Sequence, residues 1–349
     1  MLLRRAFRLP AALALTATLG LLAPTESGAA EAIDFGLSSS TSLVNLPCFV
    51  AKEAGLFEKY GLDVEFVDSN SGSKAATAII AGDVGIGCTG GSYAIRAAQR
   101  GQSLKFVLPV LDQLTLALSV RDDVLEERGI TADTPPKEIV RKLKGIHIGV
   151  SSPGSSTAEF AQFLITWAGM NPDSDFTIVP VGGNVLNVMA ALERKTIDAA
   201  TFSSPVPEWI EMHDEGRTVI SLARGDIEEL RGAYYVGLLV NKGFAEDHPE
   251  QVQAAVNAIA DAQRMIREDP DKARQIGEKF LSEMDPKVYK AAFATIAQAV
   301  PETIKPMEWD GLRKLAEYGN EAKGAEGVKL TFDDVARNDF IQTYLAKSN

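Results

Sequence analysis

Ile146-His147-Ile148-Gly149-Val150 runs directly into Ser151-Ser152-Pro153-Gly154-Ser155-Ser156-Thr157, and an amphipathic stretch to Ala168 follows. A short apolar run bounded by turn residues reads as a strand. The Ser/Pro/Gly cluster reads as a turn, and Ser155 or Ser156 as the cap of a helix over Ser155–Ala168. A strand that feeds a polar turn and then a helix is the repeating half of a βαβ unit.

The same alternation recurs on both sides. Upstream, strands are expected over Ile33–Leu37, Val64–Val67, Val84–Cys88 and Leu104–Val110. Helices are expected between them over Pro47–Lys59, Gly72–Ala81 and Gly91–Arg100. After Leu116–Val120 a polar connection runs from Arg121 to Lys144. Downstream of Ala168 come the strands Phe176–Pro180, Ile197–Ala200 and Val219–Leu222, with helices over Val185–Arg194 and Pro207–His213. Strands separated by helices of about ten residues imply parallel βαβ units with helices on both faces of a sheet. Two such sets imply two doubly wound α/β lobes. From Phe244 onward only helices are expected: Pro249–Glu268, Asp271–Leu281, Pro286–Ala299, Trp309–Glu321 and Phe332–Leu345, a tail that would wrap the first lobe.

The N-terminus carries Arg4, Arg5 and Arg8, then an uncharged stretch from Leu9 to Ala23, then Gly28-Ala29-Ala30. That order is a secretory signal peptide over residues 1–30, too short to span a bilayer as an anchor. With no Cys near its end, the expectation is a protein of the periplasm without a lipid anchor. The full chain of 349 residues has a formal charge of -12, and loss of the leader makes it more negative. Nucleic acid, which demands clustered Lys and Arg, is not an expected partner. One small anion is another matter, since local dipoles bind it whatever the net charge.

The turn at Gly154, Ser155 and Ser156 would offer unpaired amides at a helix start, with hydroxyls beside them, as a cradle for an anion. Similar turns hold Ser38, Ser39 and Ser40 after the first strand, Thr89, Gly90 and Ser92 after the third, and Asn184 in Gly182-Gly183-Asn184. In open α/β sheets ligands bind outside the carboxyl ends of strands, where such turns gather. Gly85, Gly87 and Gly90 match the spacing of a dinucleotide fingerprint with Asp112 downstream, but Gly85 and Gly87 fall inside the strand itself. His147, His213 and His248 are scattered and make no metal-site spacing, and there is no Gly-x-Ser-x-Gly elbow. Neither metal, cofactor nor catalytic residue is expected. Cys48 and Cys88 belong to an oxidising compartment, where either a disulfide or two buried thiols fits.

Several strings together resemble the nitrate/sulfonate/taurine-type solute-binding proteins of ABC importers. They are Ala51–Glu65 with its Gly55-Leu56-Phe57 core, Ala78–Gly87, Leu143–Val150 leading into Gly154, Ala191–Ala199 followed by Pro205, and His248–Val252. The series runs in family order from about residue 33 to residue 270. The resemblance implies a type II periplasmic-binding fold. Lobe 1 would be residues 31–115 and 240–349, and lobe 2 residues 116–239, with two chain crossings as the hinge. It implies a monomer that binds a small anionic solute between its lobes and delivers it to an ABC permease in the inner membrane, with Ser203 and Ser204 also facing the cleft. Taurine and sulfonate members tend to carry an acidic residue where Ser204 stands before Pro205. A carboxylate there suits a substrate ammonium group and Ser does not, so an organic anion without an amine is expected. Relatives of this fold that make the thiamine pyrimidine are an enzymatic alternative, though they act inside the cell and use a Cys-rich motif absent here. A ligand-loaded sensor for a membrane receptor is another.

Overall fold

A computed structural model describes residues 30–323 and 329–348. The leader expected over residues 1–30 lies, but for its last residue, outside the described residues. Ten strands are present among them: β1 Glu31–Leu37, β2 Leu62–Asp68, β3 Ile86–Gly90, β4 Leu104–Pro109, β5 Ala117–Arg121, β6 His147–Val150, β7 Thr177–Pro180, β8 Ala199–Phe202, β9 Gly216–Ser221 and β10 Val236–Asn241. They form two five-stranded sheets, β2-β1-β3-β10-β4 and β7-β6-β8-β5-β9. The two orders match position for position.

Each sheet is mixed rather than parallel throughout. β10 runs antiparallel to β3 and β4, and β5 antiparallel to β8 and β9. These two are the strands by which the chain enters one lobe from the other, so their direction follows from the crossing. β10 is absent from the sequence-based expectation. Its residues Val236 to Val240 are all buried, and a strand covered on both faces shows no alternation. The lobe boundary expected at 239/240 therefore falls inside a strand of the first sheet, and the second crossing lies between Ser221 and Val236.

Local rules explain most helices. The helix Gly72–Ala81 is capped by Ser71, whose hydroxyl accepts from the Lys74 amide, and stops at Gly82. The single helix expected over Pro47–Lys59 is two, Leu46–Glu53 and Leu56–Lys59, parted by Gly55 at a φ of 67°. The connection over Arg121–Lys144 holds two short helices, Asp122–Glu127 and Pro136–Lys142. The first lobe's core holds an aromatic cluster: Phe49 stacks on Phe280 at 4.3 Å between centroids, and Phe66 meets Phe35 and Phe57 edge to face nearby.

The helical tail does not keep to the first lobe. Pro249–Glu268 packs on Leu46–Glu53 and Leu56–Lys59, as expected. Trp309–Lys323 instead lies along Ser156–Trp167 of the second lobe, with Tyr318 and Phe163 rings 5.1 Å apart. Pro286–Ala299 likewise touches Val206–Met212.

Candidate functional site

The carboxyl ends of β1, β3, β6 and β8 face one another across the gap between the sheets. Several hydrogen bonds close it. The Ser71 and Ser152 hydroxyls lie 2.7 Å apart, the Gly183 amide donates to Asn70 Oδ1 at 2.9 Å, and the Leu43 amide donates to the Ser204 carbonyl at 3.1 Å. What remains is a cavity of about 60 Å³. One water needs about 10–15 Å³ by that measure, so the space suits a group of a few heavy atoms.

Hydroxyls dominate its wall. Ser38, Ser39, Ser42, Ser71 and Thr89 come from the first lobe, and Ser151, Ser155, Ser156, Thr157 and Ser203 from the second, with Tyr93, Tyr235 and Phe202 adding rings. No lining residue carries a charge. Two glycines make the room. A Cβ on Gly90 would stand 2.6 Å from Ser156 Oγ, and one on Gly72 would stand 2.7 Å from Tyr93 Oη.

Of the residues expected at the site, Ser38, Ser39, Thr89, Gly90, Ser155, Ser156 and Ser203 line this cavity. Thr89 lies inside β3, one residue before its end, rather than following it, and its hydroxyl donates to the Gly72 carbonyl at 3.2 Å. Ser155 is both wall and cap. Its Oγ accepts from the Ala158 amide at 3.2 Å and donates to the Ser152 carbonyl at 2.7 Å. Ser203 sits between the Thr115 hydroxyl at 3.1 Å and the Tyr235 hydroxyl at 3.2 Å.

Five expected residues stand outside the lining, each for a local reason. Ser40 turns to Asp68, which its amide and hydroxyl both contact. Ser92 points behind the cleft, towards Arg96 and Glu159. Gly154 bends the chain at a φ of 70° and gives its carbonyl to Arg96. Asn184 caps the helix Val185–Glu193 through the Leu186 amide. Ser204 donates to Glu208 at 2.7 Å.

Tyr93 and Tyr235 also line the cavity, and nothing in the sequence pattern separates such a ring from plain core. Both hydroxyls are enclosed, and burial pushes both phenols up, so each is a protonated donor at neutral pH. Phe49 and Tyr234, two other buried aromatics, are packed elsewhere; the Tyr234 hydroxyl accepts from the Glu308 amide at 3.1 Å. Cys48 and Cys88 lie beneath the Thr89 end of β3, both buried thiols, with sulfurs 2.8 Å apart.

Residues 30–280 match the model of the NMT1-like family, and the chain belongs to that family. The 4-amino-5-hydroxymethyl-2-methylpyrimidine phosphate synthase of Uromyces fabae is 28% identical over 233 residues, 62% of either chain. This chain thus spans about three-fifths of that relative's length. A solved structure from Bordetella bronchiseptica RB50 superposes with a TM-score of 0.79 at 22% identity, covering 91% of this chain and 98% of that one. The alkanesulfonate-binding protein SsuA of Xanthomonas axonopodis pv. citri, bound to MOPS, gives 0.67 at 18% identity, over 88% and 100%. These likenesses show the fold, the two-lobed α/β architecture of periplasmic solute-binding proteins.

Proposed function

For this member of the NMT1-like family, we propose an extracytoplasmic solute-binding protein that closes on a small organic anion, of sulfonate or carboxylate type, and delivers it to an ABC permease. The observation that carries the reading is the closed, hydroxyl-lined cavity between the sheets. Donors from both lobes converge there at the start of the helix Ser156–Trp167, whose unpaired amides favour negative charge. The wall offers no carboxylate to pair with an ammonium group and no guanidinium or ammonium to neutralise a dianion. A guest with one delocalised negative charge fits that balance. Closure replaces its hydration shell with fixed hydroxyls, and the closed shape is what a permease would read.

The likeness to a pyrimidine phosphate synthase favours a second reading, an enzyme on the same fold. The cavity wall speaks for binding, because it holds no imidazole, thiol or carboxylate to act as nucleophile or base.

A thermal-shift screen over sulfonates, nitrate, aromatic carboxylates and pyrimidines tests the proposal. A guest at a hundredfold excess over its Kd adds about 2.7 kcal/mol to stability, a rise of several degrees in Tm. Simple organic anions should give that rise and be recovered unaltered. A rise confined to pyrimidines, or chemical conversion of the guest, would move the reading to the enzyme.

A further inference from the structure

We infer that Arg96 is a positioning residue that ties contact between Tyr93 and the guest to closure of the two lobes. The inference rests on the binding role proposed above and adds how occupancy is transmitted.

Arg96 lies on the helix Ser92–Gln99 of the first lobe, one turn after Tyr93. Its guanidinium covers the Tyr93 ring at 4.4 Å from the centroid. From the same plane, Nη1 donates to Glu159 Oε1 at 2.8 Å and Nη2 to the Gly154 carbonyl at 3.2 Å. Glu159 and Gly154 belong to the second lobe, at the start of the helix whose first residues line the cavity. One planar cation thus stands between the phenol that faces the guest and the lobe that must swing in. The Tyr93 hydroxyl is buried, turned towards Ser156, and stops short of a full hydrogen bond. It is free to donate to a guest.

The pair is nearly dry, with 12% of the Arg96 side chain and 2% of the Glu159 side chain exposed. A pair that gives up this much hydration gains little net stability. Its attraction holds only while the geometry is good, so it rewards one register of the lobes over others. Only Arg can fill the place fully, because its flat fork stacks on a ring and donates in two directions at once, which an ammonium cannot do. Among the described residues Glu159 Oε2 and Ser92 Oγ have no hydrogen-bond partner, so Arg96 is what the Glu159 carboxylate depends on.

The test uses the full mature protein in two arms. In the first, without ligand, amide hydrogen exchange is compared for Arg96→Gln, Glu159→Gln, the double variant and Arg96→Lys. Both single variants should speed exchange at least tenfold over residues 92–96 and 154–159 and leave the rest of each lobe unchanged. The double variant should be no worse than either single, and Arg96→Lys should recover part of the protection. Unchanged exchange at those segments, faster exchange throughout both lobes, or single effects that multiply in the double variant would each overturn the inference. In the second arm, calorimetry with methanesulfonate should show at least a tenfold rise in Kd for Arg96→Gln, absent when Tyr93 is already Phe. An equal rise in the Tyr93→Phe background would overturn the link to Tyr93. Wild-type protein that ignores methanesulfonate would count against the solute class proposed above, while the exchange arm still decides the role of Arg96.

Discussion

Gly90 shows how much a single missing carbon decides. Its Cα approaches the Ser156 hydroxyl so closely that a methyl group would stand 2.6 Å away, a separation that forces something to shift. Gly90→Ala should therefore prop the cleft ajar, weakening solute binding at least tenfold by calorimetry while leaving the melting temperature of ligand-free protein nearly unchanged. Cys48 and Cys88 make a second claim at this scale. Their buried sulfurs face each other at 2.8 Å across a helix and a strand, and a bridge there would close a loop of about forty residues, worth about 4 kcal/mol in the chain-entropy account. Protein purified without reductant should show two alkylatable thiols on unfolding, as the free pair requires; none before reduction would mean that the pair is bridged. The presence of hydroxyl-rich turns at the strand ends was legible in the sequence. The aim of each hydroxyl was not, since Asp68, 28 residues on, draws Ser40 aside, and Glu208, four residues on, draws Ser204 away from the cavity.

Helices and strands were read well where a local signal closed them. Pro249–Glu268 and Pro286–Ala299 match expectation to the residue because Pro opens each and its neighbours end it. β3 was placed two residues early, since Gly85 and Gly87 read as its middle when Thr89 and Gly90 still belong to it. The contact between Val206–Met212 and Pro286–Ala299 carries a pH dependence. Glu208 faces Thr295 there, and burial, with Glu211 adding to it, pushes its carboxyl above the usual range despite a hydrogen bond from Ser204. A raised acid binds its proton more tightly when folded, so its contribution is complete below the ordinary glutamate pKa. That contribution is lost as pH rises through the raised value. Melting temperature should fall over that window in the wild type, and Glu208→Gln should flatten the fall. An equal slope in the variant would assign the dependence to another group.

At the scale of the whole molecule the tail is the element that binds distant parts together. Asp261 on Pro249–Glu268 receives Lys59 Nζ and Tyr60 Oη at 2.7 Å and Tyr344 Oη at 3.0 Å. Burial alone would push this carboxyl up, but the three hydrogen bonds outweigh it and hold it below its usual value. Its contribution is therefore present above the ordinary carboxylate range and fades as pH falls through the lowered value. Asp261→Asn should cost about 1.5–3 kcal/mol, the range for hydrogen bonds to a charged group. Limited proteolysis should then cut first beside the helix Asp339–Ser348; an unchanged pattern would mean that helix is held by its apolar face alone. The two-lobe plan was legible because its punctuation is local, whereas the reach of Trp309–Lys323 to the second lobe was not, since nothing in an amphipathic stripe names the surface it will cover. The place of β10 has a consequence for the order of events during synthesis. Among the described residues β4 has no strand neighbour other than β10, so the earlier-made sheet waits, incomplete, until residues 236–241 have emerged. The later-made sheet takes all five of its strands from residues 117–221, so its last strand is made before β10 completes the other.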